Sequence, residues 1–397
     1  MNEASGRFFE KNARAGLVGQ RRRRKKLLLL GASARSGDSA AAYDLGLIYL
    51  QGIGVPADAP TAARWFLAAA QAGHTAAQTK LASLHLAGLP AGALIGGATL
   101  FGAAPPAHSD FTAALHWSRE AAQAGDADGQ TILAFILSAG PEDLRDETAA
   151  ETWYARAANS GAPQARLGRG LLCLRRATDA MSTCEAIAQI EQAADAGHKL
   201  AHDALGAIYE NAVGGAQDFA RSVAHYRIAA EGGVPRAMGR LGLALLQGRG
   251  VAANRVEAET WLRRAALAGD HVSALRIGKL YAETGKLPPN HAEAALWFRR
   301  AAEAGVGEAA HALGTLYLSG KGCARDEEEA AAWFARGAEL GHALSAYNYA
   351  VCLSEGIGTA HDAARARAFL QRAAPEVPEA ARWLGLSEVS QDPEAAN

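Results

Sequence analysis

The sequence predicts an all-α fold, an α-solenoid of about nine helix-turn-helix repeats with a 36-residue period. Three observations lead to this prediction. Tryptophan-like residues recur every 36 residues, a glycine follows each of them by eight residues, and alanine is abundant whereas valine, isoleucine and threonine are sparse. Because alanine favours helix and β-branched residues favour strand, the composition indicates helices. A fixed period of roughly 20–50 residues is the signature of a repeat array.

Two columns of residues define the period. The tryptophan-like column contains, in order, Trp65, Trp117, Trp153, Gln189, His225, Trp261, Trp297, Trp333 and Phe369. The glycine column contains Gly73, Gly125, Gly161, Gly197, Gly233, Gly269, Gly305 and Gly341. Trp65 stands 52 residues before Trp117, which is one period plus a 16-residue insertion. We expect the tryptophans to pack between repeats and the glycines to end helices in the left-handed conformation.

Each repeat is predicted to consist of a helix, a glycine-rich turn, a second helix and a glycine stop. The first helix contains a Leu-Gly-like pair, and its glycine removes side-chain bulk so that a neighbouring helix can approach closely. We expect this close approach at Gly46, Gly242 and Gly314. An aspartate precedes the second helix, where its carboxylate can accept hydrogen bonds from free amides and meets the positive end of the helix dipole. These aspartates are Asp58, Asp110, Asp218 and Asp326.

The consensus of the repeat is Ala-x-x-Leu-Gly-x-x-Tyr-x-x-Gly-x-Gly-Val-x-x-Asp-x-x-x-Ala-x-x-Trp-Phe-x-x-Ala-Ala-x-x-Gly, and residues 46–73 and 314–341 match it nearly throughout. This pattern resembles the Sel1-like repeat (SLR) family of the tetratricopeptide-like superfamily. The resemblance covers about residues 37–377 and implies a right-handed superhelix. It also implies a scaffold that assembles other proteins, in signalling, protein quality control, exopolysaccharide regulation or host contact, and binds them on its concave surface. Fold by itself does not give function.

The fourth and fifth repeats depart from the consensus. Gln189 and His225 replace the usual tryptophan there, and the glycine turns are eroded. We expect looser packing in these repeats, or a local change of curvature.

Three segments make up the predicted organisation: a basic leader with an N-terminal capping helix (1–36), the solenoid (37–377), and a C-terminal capping helix with a tail (378–397). The first 36 residues hold ten lysines or arginines against two glutamates. Leu27–Leu30 follow the basic run and resemble a signal peptide, with Ala32-Ser33-Ala34 as a cleavage site. However, Leu29 and Leu30 lie 36 residues before Trp65 and Phe66, which favours the second helix of an incomplete starting repeat.

In the SLR family the first helices line the inner surface, so their outward columns are candidates for partner contact. One column includes Tyr43, His311 and Tyr347, together with Thr79, Thr131, Leu167, Asp203, Gly239 and Leu275. The next column includes Asp44, Lys80, Arg240, Arg276 and Asn348. With Lys279, the two arginines would form a basic strip in the later repeats. The alternative is an ordinary solvated helix face.

The insertion in the second repeat, residues 88–109, replaces a tight turn and carries no charge. Long loops in compact repeats are either functional or disordered. Leu94, Ile95, Leu100 and Phe101 are too apolar for a solvated linker. We therefore expect them either to fold back on the solenoid or to contact a partner.

No motif for catalysis, phosphate binding or metal binding is present, so the prediction is a protein that is not an enzyme and has no cofactor or metal. The four cysteines, Cys173, Cys184, Cys323 and Cys352, form no Cys-x-x-Cys pair. His74, His198 and His342 directly follow the stop glycine, which indicates repeat turn residues.

The predicted function is a cytoplasmic adaptor that binds a protein or peptide. A first alternative is an exported regulator of signalling or exopolysaccharide in the periplasm or outside the cell. A second is a tether to anionic lipid or nucleic acid through the basic run Arg21, Arg22, Arg23, Arg24, Lys25 and Lys26. The lack of aromatic residues within this run argues against nucleic acid, because aromatic rings would stack on bases.

Overall fold

A computed structural model describes residues 27–88, 109–283 and 289–385. Within these ranges the regular elements are helices and no strand occurs. The first helices of the nine repeats are Ser39–Gln51, Thr75–Leu86, Ala127–Ala139, Pro163–Arg176, Lys199–Glu210, Pro235–Gln247, His271–Ala282, Gly307–Ser319 and Ala343–Glu355. The second helices are Ala59–Gln71, Phe111–Gln123, Glu147–Asn159, Ala180–Asp195, Phe219–Glu231, Arg255–Leu267, His291–Glu303, Glu327–Glu339 and Ala363–Ala373. The predicted all-α array of helix-turn-helix repeats is confirmed.

Three further helical segments accompany the repeats. Residues 27–35 are helical, and Ala34 packs against the core of the first repeat. A short 3₁₀ helix, Glu142–Leu144, lies in the turn of the third repeat, and Pro378–Trp383 follows the ninth. The starting half-repeat predicted from the register of the leucine run stays a prediction, and the structure shows a helix at its position.

The chain divides into two compact units, Met1–Gln217 and Asp218–Asn397. The division falls within the fifth repeat, whose first helix belongs to the first unit and whose second helix belongs to the second. This repeat is one of the two that depart from the consensus.

The second helices end as the glycine column predicts. Its eight glycines all have positive φ, between 80° and 99°. At the first of them, Gly73 N–H donates to Ala70 O and His74 N–H donates to Ala69 O, both at 3.0 Å. This pair of bonds is the Schellman motif, which satisfies carbonyls that the helix leaves without partners. Glycine adopts the left-handed conformation without the steric cost that a Cβ imposes.

The predicted aspartates cap the second helices. The carboxylates of Asp58, Asp110 and Asp218 each accept from the backbone N–H three residues later, and Asp326 accepts from Glu328 and Glu329. In the other repeats the same cap is supplied by Asp146, Asp179, Asn254, Asn290 and Asp362.

In seven of the nine described repeats a backbone hydrogen bond joins the two helices at their turn. In the first repeat Asp58 N–H donates to Tyr49 O at 2.8 Å. The second repeat keeps the equivalent bond in spite of its insertion, since Asp110 N–H donates to His85 O at 2.9 Å. The described residues on either side of the insertion therefore keep the hairpin closed.

The tryptophan column is not the most deeply buried part of the core. The tryptophan column is only partly buried at Trp65, Trp117 and Trp153, although Trp261, Trp297 and Trp333 are each 8% exposed. The residue that follows the tryptophan position is buried in every repeat: Phe66, Ser118, Tyr154, Ile190, Tyr226, Leu262, Phe298, Phe334 and Leu370.

These buried residues explain the glycine of the first helix. A Cβ added at Gly46 would lie 2.5 Å from the Phe66 ring, and one at Gly314 would lie 2.7 Å from the Phe334 ring. At Gly242 the neighbour is Leu262, also at 2.7 Å. The close approach predicted at these three glycines is confirmed, and it joins the two helices of a single repeat.

Candidate protein-binding face

The first helices carry the residues for which we predicted partner contact. Most of the column that starts at Tyr43 is not free. Thr79, Thr131, Leu167, Asp203, Gly239 and Leu275 are buried, while Tyr43, His311 and Tyr347 are partly buried. The expectation of an open column is therefore wrong for its six buried members.

The burial has a recurring geometric cause. In four repeats the residue of this column faces the residue that caps the first helix of the next repeat. Thr79 Oγ1 donates to Asp126 Oδ2 at 2.7 Å, and a side chain at Gly239 would collide with Asp270. The Tyr43 ring lies 4.7 Å from the His74 ring, with an interplanar angle of 19°. The column thus joins successive repeats.

The neighbouring column is more open. Asp44, Lys80 and Arg240 are exposed, whereas Arg276 and Asn348 are half-buried. Lys279, also exposed, is not an isolated cation, because its Nζ lies 2.5 Å from Glu308 Oε1 of the next repeat. The predicted basic strip is therefore partly neutralised at its Lys279 end.

Two sets of predicted residues lie outside the described residues. They are Leu94, Ile95, Leu100 and Phe101 of the insertion, and the basic run at residues 21–26. Their predicted contacts with a partner or a membrane stay predictions.

One polar cluster was missed in the sequence. His342 is the N-cap of Ala343–Glu355, and its Nδ1 accepts from Ser345 N–H at 3.2 Å. Its ring lies 5.3 Å from the ring of His311, whose Nε2 is 3.0 Å from Asn348 Nδ2. Asp126 and Asp270 occupy the same column as His342, so the spacing alone could have identified a capping position.

A ladder of charged and aromatic residues on the second helices was also missed. Trp297 Nε1 donates to Glu293 Oε1 at 3.1 Å, and the Arg263 guanidinium of the preceding repeat lies 5.7 Å from the Trp297 ring centroid. In the next repeat Arg299 lies at the same distance from Trp333. The signal was present, because Glu257, Glu293 and Glu329 are spaced by 36 residues, as are Arg263 and Arg299.

Three cysteine thiols, those of Cys173, Cys323 and Cys352, have raised pKa values. Burial raises the pKa of the Cys352 thiol to about 11 and also raises that of Cys173, which disfavours the thiolate that a nucleophile needs. The described ranges contain no group of three or more His, Cys, Asp or Glu residues placed to hold a metal ion. Among the described helices, none is long and apolar enough to span a bilayer.

The family model of the Sel1 repeat matches eight segments that together cover more than half of the sequence: residues 39–74, 97–126, 127–161, 200–234, 235–270, 271–306, 307–342 and 343–374. The chain belongs to the Sel1 repeat family. The fourth repeat, at residues 162–199, falls between two matched segments, yet its two helices are present. No curated protein matches the sequence significantly.

Solved structures with Sel1 repeats are similar to this chain. One is c5321, a protective antigen of uropathogenic Escherichia coli with an SLR fold. It is 26% identical with a TM-score of 0.40, and the match covers 91% of this chain and 83% of that one. A Sel1 repeat protein from Oxalobacter formigenes is 24% identical with a TM-score of 0.45, over 90% of this chain and 89% of that one.

Proposed function

We propose that this Sel1 repeat protein is a non-catalytic scaffold whose partner, a protein or peptide, binds the exposed column of the first helices. Sel1 repeat proteins generally act as protein-interaction scaffolds, and the proposal adds a location for the contact. The observation that carries it is the chemistry of this column. In the first unit its exposed members Asp44 and Lys80 differ in charge although they occupy equivalent positions, and in the second unit the same holds for the exposed Arg240 and the half-buried Asn348.

A repeat array that carries different side chains at equivalent positions can contact an extended partner selectively. The consensus residues cannot do this, because they are used in packing. Polar and charged groups at the rim of an interface set its register and suppress wrong partners. The partner's identity is therefore encoded in the residues that do not follow the repeat.

The test compares two charge-reversed variants of equal net charge. The first, Asp44→Lys with Lys80→Glu, alters the exposed column of the first helices. The control, Arg64→Glu with Glu120→Lys, alters exposed positions of the second helices in the same two repeats. Cross-linked partners from the source cells are identified by mass spectrometry. We expect the first variant to lose a partner that the wild type and the control retain, and retention by both variants would refute the proposed location.

For localisation we propose the cytoplasm. The supporting observation is that the signal-peptide cleavage site, Ala32-Ser33-Ala34, would lie inside the helix at residues 27–35, where Ala34 packs against the first repeat. The amino-terminal sequence of the native protein tests this proposal. A mature chain that begins near residue 35 would contradict it.

A further inference from the structure

The contact between the eighth and ninth repeats contains two histidines that face each other. His311 lies on the first helix of the eighth repeat, and His342 caps the first helix of the ninth. Their rings are 5.3 Å apart, and the His311 ring also lies 5.8 Å from the Phe334 ring. Both histidines are partly buried. Other repeats fill the equivalent pair of positions with Thr79 and Asp126, or with Tyr43 and His74.

Each ring makes one hydrogen bond through a nitrogen that must be unprotonated. His342 Nδ1 accepts from Ser345 N–H, and an imidazolium has no lone pair with which to accept. Protonation would therefore remove this bond to the backbone of Ala343–Glu355, and the protonated Nδ1 would instead donate to Ser345 Oγ, which lies 2.9 Å away. At His311, the Nε2 atom faces the amide nitrogen of Asn348 at 3.0 Å, which can only donate. Adding a proton to that nitrogen would replace an attraction by a repulsion.

We propose that the pair of His311 and His342 is a pH-sensitive interlock, which holds the eighth and ninth repeats together while both rings are neutral and loosens them when acid protonates either ring.

The surrounding charges agree in direction with this proposal. Burial lowers the pKa of His311, and His342 lowers it further while Glu308 opposes. Burial is also the main cause that lowers the pKa of His342. Lys279 acts in the same direction, whereas Glu308 and Glu376 oppose it. Glu308 is itself paired with Lys279, which weakens its attraction for an imidazolium.

The sign of the pH dependence follows by linkage. Each pKa is lower in the folded chain than the value of about 6.5 expected for an unfolded histidine. The unfolded or locally opened state therefore binds more protons in the window between these two pKa values. Stabilisation by the interlock is fully present above about pH 6.5 and decreases as the pH falls through that window.

A variant that lacks both histidines can be designed from the contact between two other repeats of the chain. His311→Thr with His342→Asp transfers the pair that joins the second and third repeats, where Thr79 Oγ1 donates to Asp126 Oδ2 and Asp126 accepts from Gly129 N–H. This double variant keeps a capping acceptor and a bond between the repeats, but it removes both imidazoles. His342→Asn is a second variant that keeps the acceptor, in case the double variant does not fold. His361→Gln, at an exposed position, is the control.

The measurement is amide hydrogen exchange of the full chain at about pH 7.5 and about pH 5.5, corrected for the intrinsic exchange rates. We expect protection of Ala343–Glu355 to fall several-fold on acidification in the wild type and in the control, but not in the double variant. In His342→Asn, which keeps His311, the fall should be smaller than in the wild type. Protection of His271–Ala282, which follows Asp270, serves as the internal reference. No partner is needed, so the result is independent of the proposed scaffold function.

Two outcomes would overturn the proposal. One is protection of Ala343–Glu355 that does not change with pH in the wild type. The other is a fall in protection that is equally large in the variants that lack His342. A histidine titration by NMR gives a separate check, since ordinary protonation near pH 6.5 at both His311 and His342 would also contradict the interlock.

Discussion

The exposed fractions of single residues show which large side chains of a repeat are buried most deeply. Trp297 is 8% exposed, and the adjacent Phe298 is 3% exposed. The tryptophan bridges the repeats, with its indole N–H on Glu293 and the Arg263 guanidinium over its ring, whereas Phe298 fills the space left by Gly278. The consensus correctly marked both positions as important, but it could not tell which of two adjacent large residues is the more deeply buried.

Replacing Trp297 by alanine should lower the free energy of unfolding by about 3–5 kcal/mol, because it removes a large buried side chain and leaves a cavity between repeats. We also expect adjacent repeats to uncouple, so that the urea transition followed by circular dichroism broadens. Trp383→Ala is the control, since Trp383 is 52% exposed and should change the free energy by less than about 0.5 kcal/mol. A sharp single transition in the Trp297 variant would count against this role.

Two glycines with left-handed backbone conformations allow the cost of backbone strain to be measured apart from the cost of a steric clash. Gly322 has a φ of 76°, and a Cβ there would collide with the backbone of His291 and Ala292 in the preceding repeat. Gly341 has a φ of 85°, and a Cβ there would meet nothing within 4 Å. Both alanine variants pay the left-handed penalty of roughly 1–2 kcal/mol. We expect Gly322→Ala to lose at least about 1 kcal/mol more in urea unfolding, because the repeats must also move apart. Equal losses would contradict the contact.

Within a repeat, the two helices meet where a glycine of the first faces a large residue of the second. The sequence predicted a close approach at Gly46, because a glycine in a helix interior needs a reason that outweighs its poor helix propensity. It did not identify Phe66 as the neighbour, since the distance between two helices depends on their packing. The first and ninth repeats have different residue pairs at this contact, which are Gly46 with Phe66 in the first and Ala350 with Leu370 in the ninth.

A double-mutant cycle tests this pairing of helices. Gly46→Ala should destabilise the protein by roughly 1–3 kcal/mol, because the new Cβ would lie 2.5 Å from the buried Phe66 ring. In the background of Phe66→Leu, which imitates the ninth repeat, the same substitution should be less harmful by about 0.5 kcal/mol or more. The measurement is chemical unfolding of the four proteins at neutral pH. Additive effects would show that the two side chains do not share the space.

At the scale of the whole molecule, the chain consists of two units that meet in sequence within the fifth repeat. In repeat proteins stability is approximately a sum of terms for each repeat and for its contacts with neighbours. A change in one repeat is therefore expected to act on that repeat and its neighbours. The insertion of the second repeat is consistent with this principle, because the hydrogen bond between Asp110 and His85 closes its hairpin as the bond between Asp58 and Tyr49 does in the first repeat.

Deletion of residues 90–105 should leave helicity and stability intact. The deletion restores the nine-residue separation of His85 and Asp110 that Tyr49 and Asp58 have in the first repeat. Far-ultraviolet circular dichroism and urea unfolding of the variant are expected to match the wild type, while a partner that depends on the insertion is lost from cross-linking. Loss of helicity would show that the insertion supports the fold, and an unchanged set of partners would refute its role in binding.

The sequence by itself determined the period, the helix ends and the caps. The left-handed conformation of Gly73 and the cap formed by Asp58 each depend on a few consecutive residues. The same local sequence therefore gives the same local geometry in each repeat. Only the tertiary structure decided which face of the first helices is available to a partner. Thr79 and Lys80 are adjacent and both polar, yet Thr79 is buried against Asp126 of the next repeat while Lys80 is exposed. Adjacent residues of a helix point about 100° apart, so the direction from which the neighbouring repeat approaches determines which of the two is covered.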